Sequence, residues 1–180
     1  LIKSQTASSS ATISFVHGTS DVVLDSTYPI YVFKFINIHP ATDNVNFSVG
    51  FRDGSTDYDA TKTTTFFNAQ HDEADSHTSL AYDTYGDLAQ STAFQVLQWN
   101  MGNDNNQSCS GTLHLFNPSS TTFVKHFMFR GSRVHRDDYA IDEFVAGYCN
   151  VTAAIDGVQF KFSSGNMDAG TIKLYGIKDS

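Results

Sequence analysis

The segment HDEADSH, at residues 71–77, holds two imidazoles and three carboxylates within seven positions. Side chains of these types bind metal ions and also act as general acids and bases. The spacing contains no HExxH motif and no other pattern that would place both histidines on one face of a helix. A solvated acidic loop between two strands explains the segment more simply, so we predict no metal site there.

Three carboxylates, those of Asp53, Asp57 and Asp59, cluster around a glycine in RDGSTDYD. Ca²⁺ prefers several oxygen ligands, but this spacing departs from the EF-hand pattern and lacks its closing glutamate. An acidic hairpin tip explains the cluster as well, and calcium binding stays the open alternative. His114 and His126 could face each other on neighbouring strands, although single histidines in strands are more often packing residues. We predict no metal ligand and no cofactor.

Nucleophilic catalysis requires an activated serine or cysteine, and neither has a recognisable setting in this sequence. The chain has no GxSxG motif, and Cys109 and Cys149 lie in no Cys–His signature. Free cysteine packs as a small hydrophobic residue, and Cys149 has apolar neighbours in AGYCNV. We therefore predict no catalytic residue and two reduced, buried thiols. A disulfide would require the strands of the two cysteines to meet.

Aromatic side chains near polar loops are candidates for sugar binding, because sugar faces stack on aromatic rings. Trp99, Tyr82 and Tyr85 lie near acidic or amide-rich segments such as MGNDNNQS, at 101–108. For Trp99 the alternative is a place in the core, since it ends the alternating run AFQVLQW. A carbohydrate site thus requires all three rings to be exposed, and the sequence assigns no individual binding residue.

The composition favours strands and excludes two classes of partner. Fifteen Phe, eight Tyr and one Trp among 180 residues, with many Thr and Ser, are typical of pleated, half-buried surfaces. The net charge is −8 and the eleven Lys and Arg form no basic stripe, which argues against nucleic-acid binding. No apolar run approaches the roughly 20 residues that span a bilayer, so no membrane partner is expected.

Ten short runs with strand character, separated by turn residues, predict the elements that position these side chains. In GVQFKF, for example, Val158, Phe160 and Phe162 alternate with polar residues, which indicates a strand with one wet face. Such a series predicts an antiparallel sandwich or barrel. The runs are 11–16, 28–38, 44–51, 63–69, 93–99, 111–116, 121–129, 144–151, 157–162 and 170–177.

Three segments have a more specific interpretation. The serine-rich residues 1–10 are expected to form a short arm, or a strand that pairs with a neighbour, ahead of a single domain over 11–180. The run YVFKFINI, at 31–38, is apolar on both faces apart from a lysine and an asparagine. We expect it in the centre of the domain or under a subunit contact. The segment GDLAQSTAFQVL, at 86–97, allows one short turn of helix.

The run at 170–177 alternates so that Ile172 and Leu174 share one face. We expect an interior strand with these two residues in the core. The turn residues at 165–166 predict a hairpin that pairs this strand with the run at 157–162. One register would then bury the apolar face of both strands.

Four long stretches are distinctive as strings, and they are FKFINIHPATDNVNF (33–47), DLAQSTAFQ (87–95), GTLHLFNPSSTTFVKHF (111–127) and FVAGYCNVTAAIDGVQFKFSSGNMDAGTIKLYGIK (144–178). Together they resemble a family of short, mostly uncharacterised proteins encoded by marine tailed phages, including those of cyanobacteria. The resemblance covers nearly the whole chain from Thr6 onward. It implies a virion structural protein on a β-sandwich scaffold of the jelly-roll type, and it brings no catalytic residues.

We therefore expect a non-enzymatic protein located in the virion, with other virion proteins of the capsid as partners. The first hypothesis is a decoration or cement protein on the capsid surface, which acts through protein–protein contacts. The alternative is a carbohydrate-binding receptor or tail-fibre domain that binds a host-surface glycan. The lack of coiled-coil heptads favours decoration. The two-sided apolar run at 31–38 and the trimeric arrangement of jelly rolls on capsids also predict a homotrimer.

Overall fold

The computed structural model describes residues 1–178, and within that range it contains twelve β-strands and no helix. Two sheets of antiparallel strands pack face to face, so the prediction of an all-β, antiparallel β-sandwich is confirmed. The strands are β1 (Lys3–Thr6), β2 (Ile13–Val16), β3 (Ile30–Pro40), β4 (Val45–Arg52), β5 (Lys62–Asp72), β6 (Thr78–Tyr82), β7 (Gln95–Met101), β8 (Cys109–Phe116), β9 (Lys125–Val134), β10 (Tyr139–Cys149), β11 (Gly157–Phe162) and β12 (Met167–Ile177).

The two sheets differ in width. The larger has eight strands in the order β1-β12-β3-β8-β9-β10-β5-β6, and the smaller has four in the order β2-β11-β4-β7. Strands that are consecutive in sequence often lie in opposite sheets, at the same position in the strand order of each sheet. The four such pairs are β1/β2, β11/β12, β3/β4 and β7/β8. The hairpins β5–β6 and β9–β10 extend the larger sheet beyond β8. The larger sheet therefore projects past the smaller one on that side.

The core between the sheets is built from aromatic rings on alternate strand positions. The ring of Phe35 on β3 lies 5.5 Å from Phe47 on β4 and 5.0 Å from Phe160 on β11, in edge-to-face arrangements. Such arrangements are preferred because the edge of a ring is positive and its face is negative. Phe129 on β9 extends the cluster, with its ring 5.9 Å from Phe35. Phe160 is buried together with Val158 and Phe162 on the same strand, which confirms the buried face predicted for the run at 157–162.

The strand at 167–177 confirms part of the prediction and corrects the rest. β12 lies between β1 and β3, so it is an interior strand, and Ile172 and Leu174 are fully buried. The predicted hairpin with 157–162 is wrong, because β11 pairs with β2 and β4 in the opposite sheet. The turn at Gly165, where φ is +68°, crosses between sheets. Strands in facing sheets satisfy the same alternation as a hairpin, since both bury one face in one core.

One strand, β6, was not predicted, and one helical turn was wrongly expected. β6 pairs with the end of β5, while β1 pairs with β12, which agrees with the alternative of a strand within residues 1–10. The segment at 86–97 contains no helical turn. Its amides bond to β5 instead, because Leu88 N donates to Thr64 Oγ1 over 2.8 Å and Ser91 N donates to the carbonyl of Lys62 over 3.0 Å. Hydrogen bonds of this kind compete with helix formation.

Buried lysines hold the loops that cover the inner side of the added hairpins. Lys62 on β5 and Lys125 on β9 lie on either side of Cys149 on β10, and all three are buried. Lys62 Nζ donates to the carbonyl of Ala93 over 2.7 Å, and Lys125 Nζ donates to that of Val151 over 2.7 Å. Burial lowers the pKa of both lysines. Cys149, like Cys109 on β8, is a free buried thiol, as predicted.

Candidate interaction surface

The side of the larger sheet that faces away from the smaller sheet, here called the outer face, is unusually apolar on strands β8, β9, β10, β5 and β6. An antiparallel sheet normally presents a polar face to water. Here Met128 is 55% exposed, Phe67 39% and Tyr82 54%. We use the name apolar patch for six residues of this face, and they are Phe67, Tyr82, Phe116, Met128, Phe144 and Tyr148.

An arginine and two phenylalanines stack at the centre of this face. The rings of Phe67 and Phe144 are parallel within 2°, with centroids 4.7 Å apart. The guanidinium of Arg130 lies 4.8 Å from the ring centroid of Phe144. Arg130 Nη2 donates to Asp142 Oδ2 over 2.7 Å, and this contact raises the pKa of Arg130 and fixes its plane against the ring. Exposed aromatic and arginine side chains of this kind dominate the energetics of protein interfaces.

Two open hollows flank this stack, with Phe116 and Met128 forming part of both. The first has a volume of about 430 Å³ and reaches Tyr148 and Ala146 on β10. The second has a volume of about 450 Å³ and reaches Thr112, His114 and Phe144. Ala146 contributes a hollow because it is the smallest side chain between larger neighbours. Hollows with apolar walls can receive large side chains from another molecule.

One row of outward-facing residues crosses all eight strands, and we call it the crossing row. Each member is the Cα partner of the next, in the order Ser4, Lys173, Lys34, Thr112, Arg130, Phe144, Phe67 and Tyr82. The row begins beside two lysines on adjacent strands. It ends at Tyr82, whose hydroxyl donates to Asp87 Oδ2 over 2.6 Å, a bond that raises the pKa of Tyr82. The outer face therefore carries positive charge near the β1 edge and negative charge near the β6 edge.

The segment 71–77 forms the acidic turn between β5 and β6. Asp72 accepts hydrogen bonds from the amides of Ser76, over 2.8 Å, and His77, over 2.9 Å. Together with the Ser76 hydroxyl, these bonds lower the pKa of Asp72 to about 2. His71 Nε2 lies 3.1 Å from Asp75 Oδ1. The carboxylate of Asp72 thus stabilises the turn, in agreement with the interpretation as an exposed acidic loop.

The other candidate metal residues do not converge. Across the described part of the chain, no three His, Cys, Asp or Glu side chains are grouped so that they could hold a metal ion. Asp53, Asp57 and Asp59 lie in the loop between β4 and β5. His114 and His126 lie on adjacent strands and on the same face, as expected, but His114 stacks on Phe116 and His126 lies against Tyr148. Both imidazoles are packing residues at the apolar patch.

The three candidate sugar-binding rings are divided between two environments. Trp99 on β7 is partly buried and packs against the core. Tyr82 and Tyr85 are exposed, and Tyr85 is 82% accessible. Both lie beside carboxylates, because Tyr82 bonds to Asp87 and the amide of Tyr85 donates to Asp83 Oδ1 over 2.8 Å. The requirement that all three rings be exposed together is not met.

A buried ion pair was not anticipated from the sequence. Arg133 Nη2 on β9 donates to Glu143 Oε1 on β10 over 2.9 Å, and both residues are buried, as is Gln98 on β7. Burial raises the pKa of Glu143 to about 7 and lowers that of Arg133. Within residues 1–178, Gln98 makes no side-chain hydrogen bond and Glu143 Oε2 accepts none. The available signal was the charge of Glu143 among the apolar inward residues of β10, whereas the inward residues of β9 already include the charged Lys125.

The comparisons with known proteins leave the surface itself as the guide to function. No protein-family model matches the chain, and no curated protein matches it either. Within the described range, no helix is long and apolar enough to cross a membrane. The exposed apolar patch and its two hollows are the surface features that a binding partner would cover.

Proposed function

We propose that this protein is a non-enzymatic structural component of a phage particle, and that it works as a decoration or cement protein on the capsid surface. The observation that carries the proposal is the apolar patch on the outer face, with the stack of Arg130, Phe144 and Phe67 at its centre. A monomer gains nothing from leaving such a surface in water, because burying apolar area is favourable. We therefore expect the patch to be covered by another protein of the particle.

The strand order supports the finer proposal of a jelly-roll scaffold, which consists of eight strands in two Greek keys. The strands β1, β12, β3 and β8 form one half of the eight, and β2, β11, β4 and β7 form the other. Each strand has its neighbour in sequence at the same place in the opposite sheet. On this reading the hairpins β5–β6 and β9–β10 are additions to the scaffold, and they carry most of the apolar patch.

A homotrimer is the form in which we expect the protein to act. The accessible surface of one chain is 8441 Å². A standard interface buries about 800 Å² on each partner, roughly a tenth of this area. A trimer would present three copies of each weak contact to the capsid, and this multiplies affinity through high effective concentration. Binding only the assembled shell would then stabilise it by mass action.

The test replaces two hydrophobic side chains of the patch together, as Met128→Ser with Phe144→Ser. We expect the wild-type chain to sediment as a trimer and to co-sediment with heads of the encoding phage, and the double variant to do neither. Phe123→Ser is the matched control, because Phe123 is exposed but lies in the β8–β9 loop, outside the patch. A wild-type chain that stays monomeric and ignores the heads would overturn the proposal.

The carbohydrate-binding alternative retains one supporting observation. Tyr82 and Tyr85 are exposed beside Asp83 and Asp87. A ring can stack on a sugar face while a neighbouring carboxylate accepts hydrogen bonds from the sugar hydroxyls. The partly buried Trp99 removes the third ring from such a site. A glycan array probed with the wild-type chain and with Tyr82→Ala and Tyr85→Ala tests it. Absence of any hit retires the alternative, whereas a hit lost in both variants establishes it.

A further inference from the structure

Opposite charges lie near the two ends of the crossing row, and they cannot neutralise each other within one chain. Lys34 and Lys173 are direct partners on adjacent strands, and like charges in this arrangement repel. Asp87 lies at the far end, bonded to Tyr82. Five strand spacings of about 4.8 Å separate β3 from β6, which is about 24 Å. This exceeds the Debye length of about 8 Å at physiological salt.

The lysines and the carboxylates at these ends have local contacts but no partner of opposite charge among the described residues: Lys34 Nζ lies 5.5 Å from the ring centroid of Tyr175, and both carboxylates accept a hydrogen bond. Within the described part of the chain, neither Lys34 nor Lys173 forms an ion pair, and no cation pairs with Asp83 or Asp87. By contrast, the exposed Arg130 is already paired with Asp142. The unpaired positive charge of the outer face thus lies at one edge and the unpaired negative charge at the other.

Apolar residues accompany the charges at both ends, and they stand in matching positions. Leu80, which is 76% exposed, lies two residues before Tyr82 on β6. Ile36, also exposed, lies two residues after Lys34 on β3. Because the strands are antiparallel and in register, both fall on the same side of the crossing row. A copy rotated about an axis along the strands would bring Leu80 to Ile36 as it brings Asp87 to Lys34.

We propose that a second copy of this chain docks head to tail on the outer face, with the edge formed by Leu80, Tyr82 and Asp87 seated against Lys34 and Lys173. The hollow of about 450 Å³ begins at Thr112, the strand partner of Lys34, so the docked edge also covers part of the apolar patch. A contact between two different surfaces leaves one of each free on the pair, and repetition closes a ring of three when each copy is rotated by a third of a turn relative to the last. This inference rests on the proposed self-association and specifies its geometry.

Charge reversal tests the geometry in solution by sedimentation velocity, with circular dichroism as a check on folding. Lys34→Glu with Lys173→Glu makes both ends acidic, and Asp83→Lys with Asp87→Lys makes both basic. We expect each double variant to weaken self-association by about tenfold or more, because an attraction becomes a repulsion. The quadruple variant restores the attraction and should recover the wild-type assembly. Lys161→Glu is the control, because Lys161 lies on β11 in the other sheet.

An equal mixture of the two double variants provides a second readout. Acidic-ended and basic-ended chains must alternate around a ring, so the mixture should form dimers or other even-numbered assemblies and no trimer. A wild-type chain that is monomeric refutes the proposed self-association itself. A wild-type assembly that neither double variant weakens, or that the quadruple variant fails to restore, refutes this geometry alone.

Discussion

The buried pair of Arg133 and Glu143 predicts that the protein loses stability as the pH rises from about 4.5 to about 7. Burial raises the pKa of Glu143 from 4.5 to about 7. A carboxyl group with a raised pKa in the folded state binds its proton more tightly there than in the unfolded chain. Its contribution to stability is therefore complete below the unfolded pKa of 4.5 and is lost as the pH rises through about 7.

The size of this loss follows from the shift itself. At about 1.4 kcal/mol for each pKa unit, the change from 4.5 to about 7 corresponds to about 3 kcal/mol. This is a large share of the stability of a small domain, about 5–15 kcal/mol. Arg133 offsets only part of the desolvation of the carboxylate, because one oxygen of Glu143 accepts its hydrogen bond and the other accepts none from residues 1–178.

Urea unfolding at several pH values between about 5 and 8 measures the effect. Trp99 is the one tryptophan, and its amide donates to Glu143 Oε1 over 3.3 Å, so its fluorescence reports on this part of the core. Glu143→Gln is the reference, since it cannot titrate there. Subtracting the free energy of unfolding of Glu143→Gln from that of the wild type also cancels the contribution of His135, whose pKa is lowered by burial. A wild-type free energy of unfolding that runs parallel to that of Glu143→Gln across this range would refute the reasoning.

The remaining predictions concern the core and the thiols. Leu174→Ala should lower the free energy of unfolding by about 2–5 kcal/mol, because Leu174 is fully buried, whereas Phe123→Ala at an exposed loop site should change it little in urea titrations. Removing the residues after Ala169 deletes most of β12, which joins β1 to β3, and should abolish cooperative unfolding. Cys109 and Cys149 are buried, and burial raises the pKa of Cys149 to about 12. Both thiols should therefore resist an aromatic disulfide reagent until the chain is denatured. Rapid reaction of either thiol in the native state would contradict their placement.

Alternation in the sequence predicted which face of a strand is buried, but it could not predict which sheet the strand joins. The runs at 157–162 and 170–177 show the distinction, because each buries the residues expected and yet they belong to opposite sheets. Strand pairing depends on contacts between distant segments, which a local pattern does not contain. β6 was not predicted because it has five residues and only Leu80 and Tyr82 mark its apolar face, a pattern too short to distinguish from the surrounding loops.

The interaction surface was only partly visible in the sequence for the same reason. The run at 121–129 carries apolar residues at both alternations, with Phe127 directed to the core and Met128 directed outward. The same holds for Phe144 in the run at 144–151. Taken alone, each run predicts a strand that is buried on both faces. Only the register between them brings Met128, Phe144 and Phe67 together into one exposed patch.

The position of β12 between β1 and β3 has a consequence for synthesis of the protein on the ribosome. Thr6 and Thr171, whose hydroxyl oxygens lie 3.2 Å apart in the folded protein, are 165 positions apart in the chain. At roughly 5–20 residues per second, about 8 to 33 s pass between their translation. Through that interval β1 has no partner in the sheet and β3 presents an open edge to other nascent chains. The larger sheet becomes continuous from β1 to β3 only when β12 emerges from the ribosome. Because Lys34 lies on β3 and Lys173 on β12, this lysine pair exists only on a chain that has completed its fold.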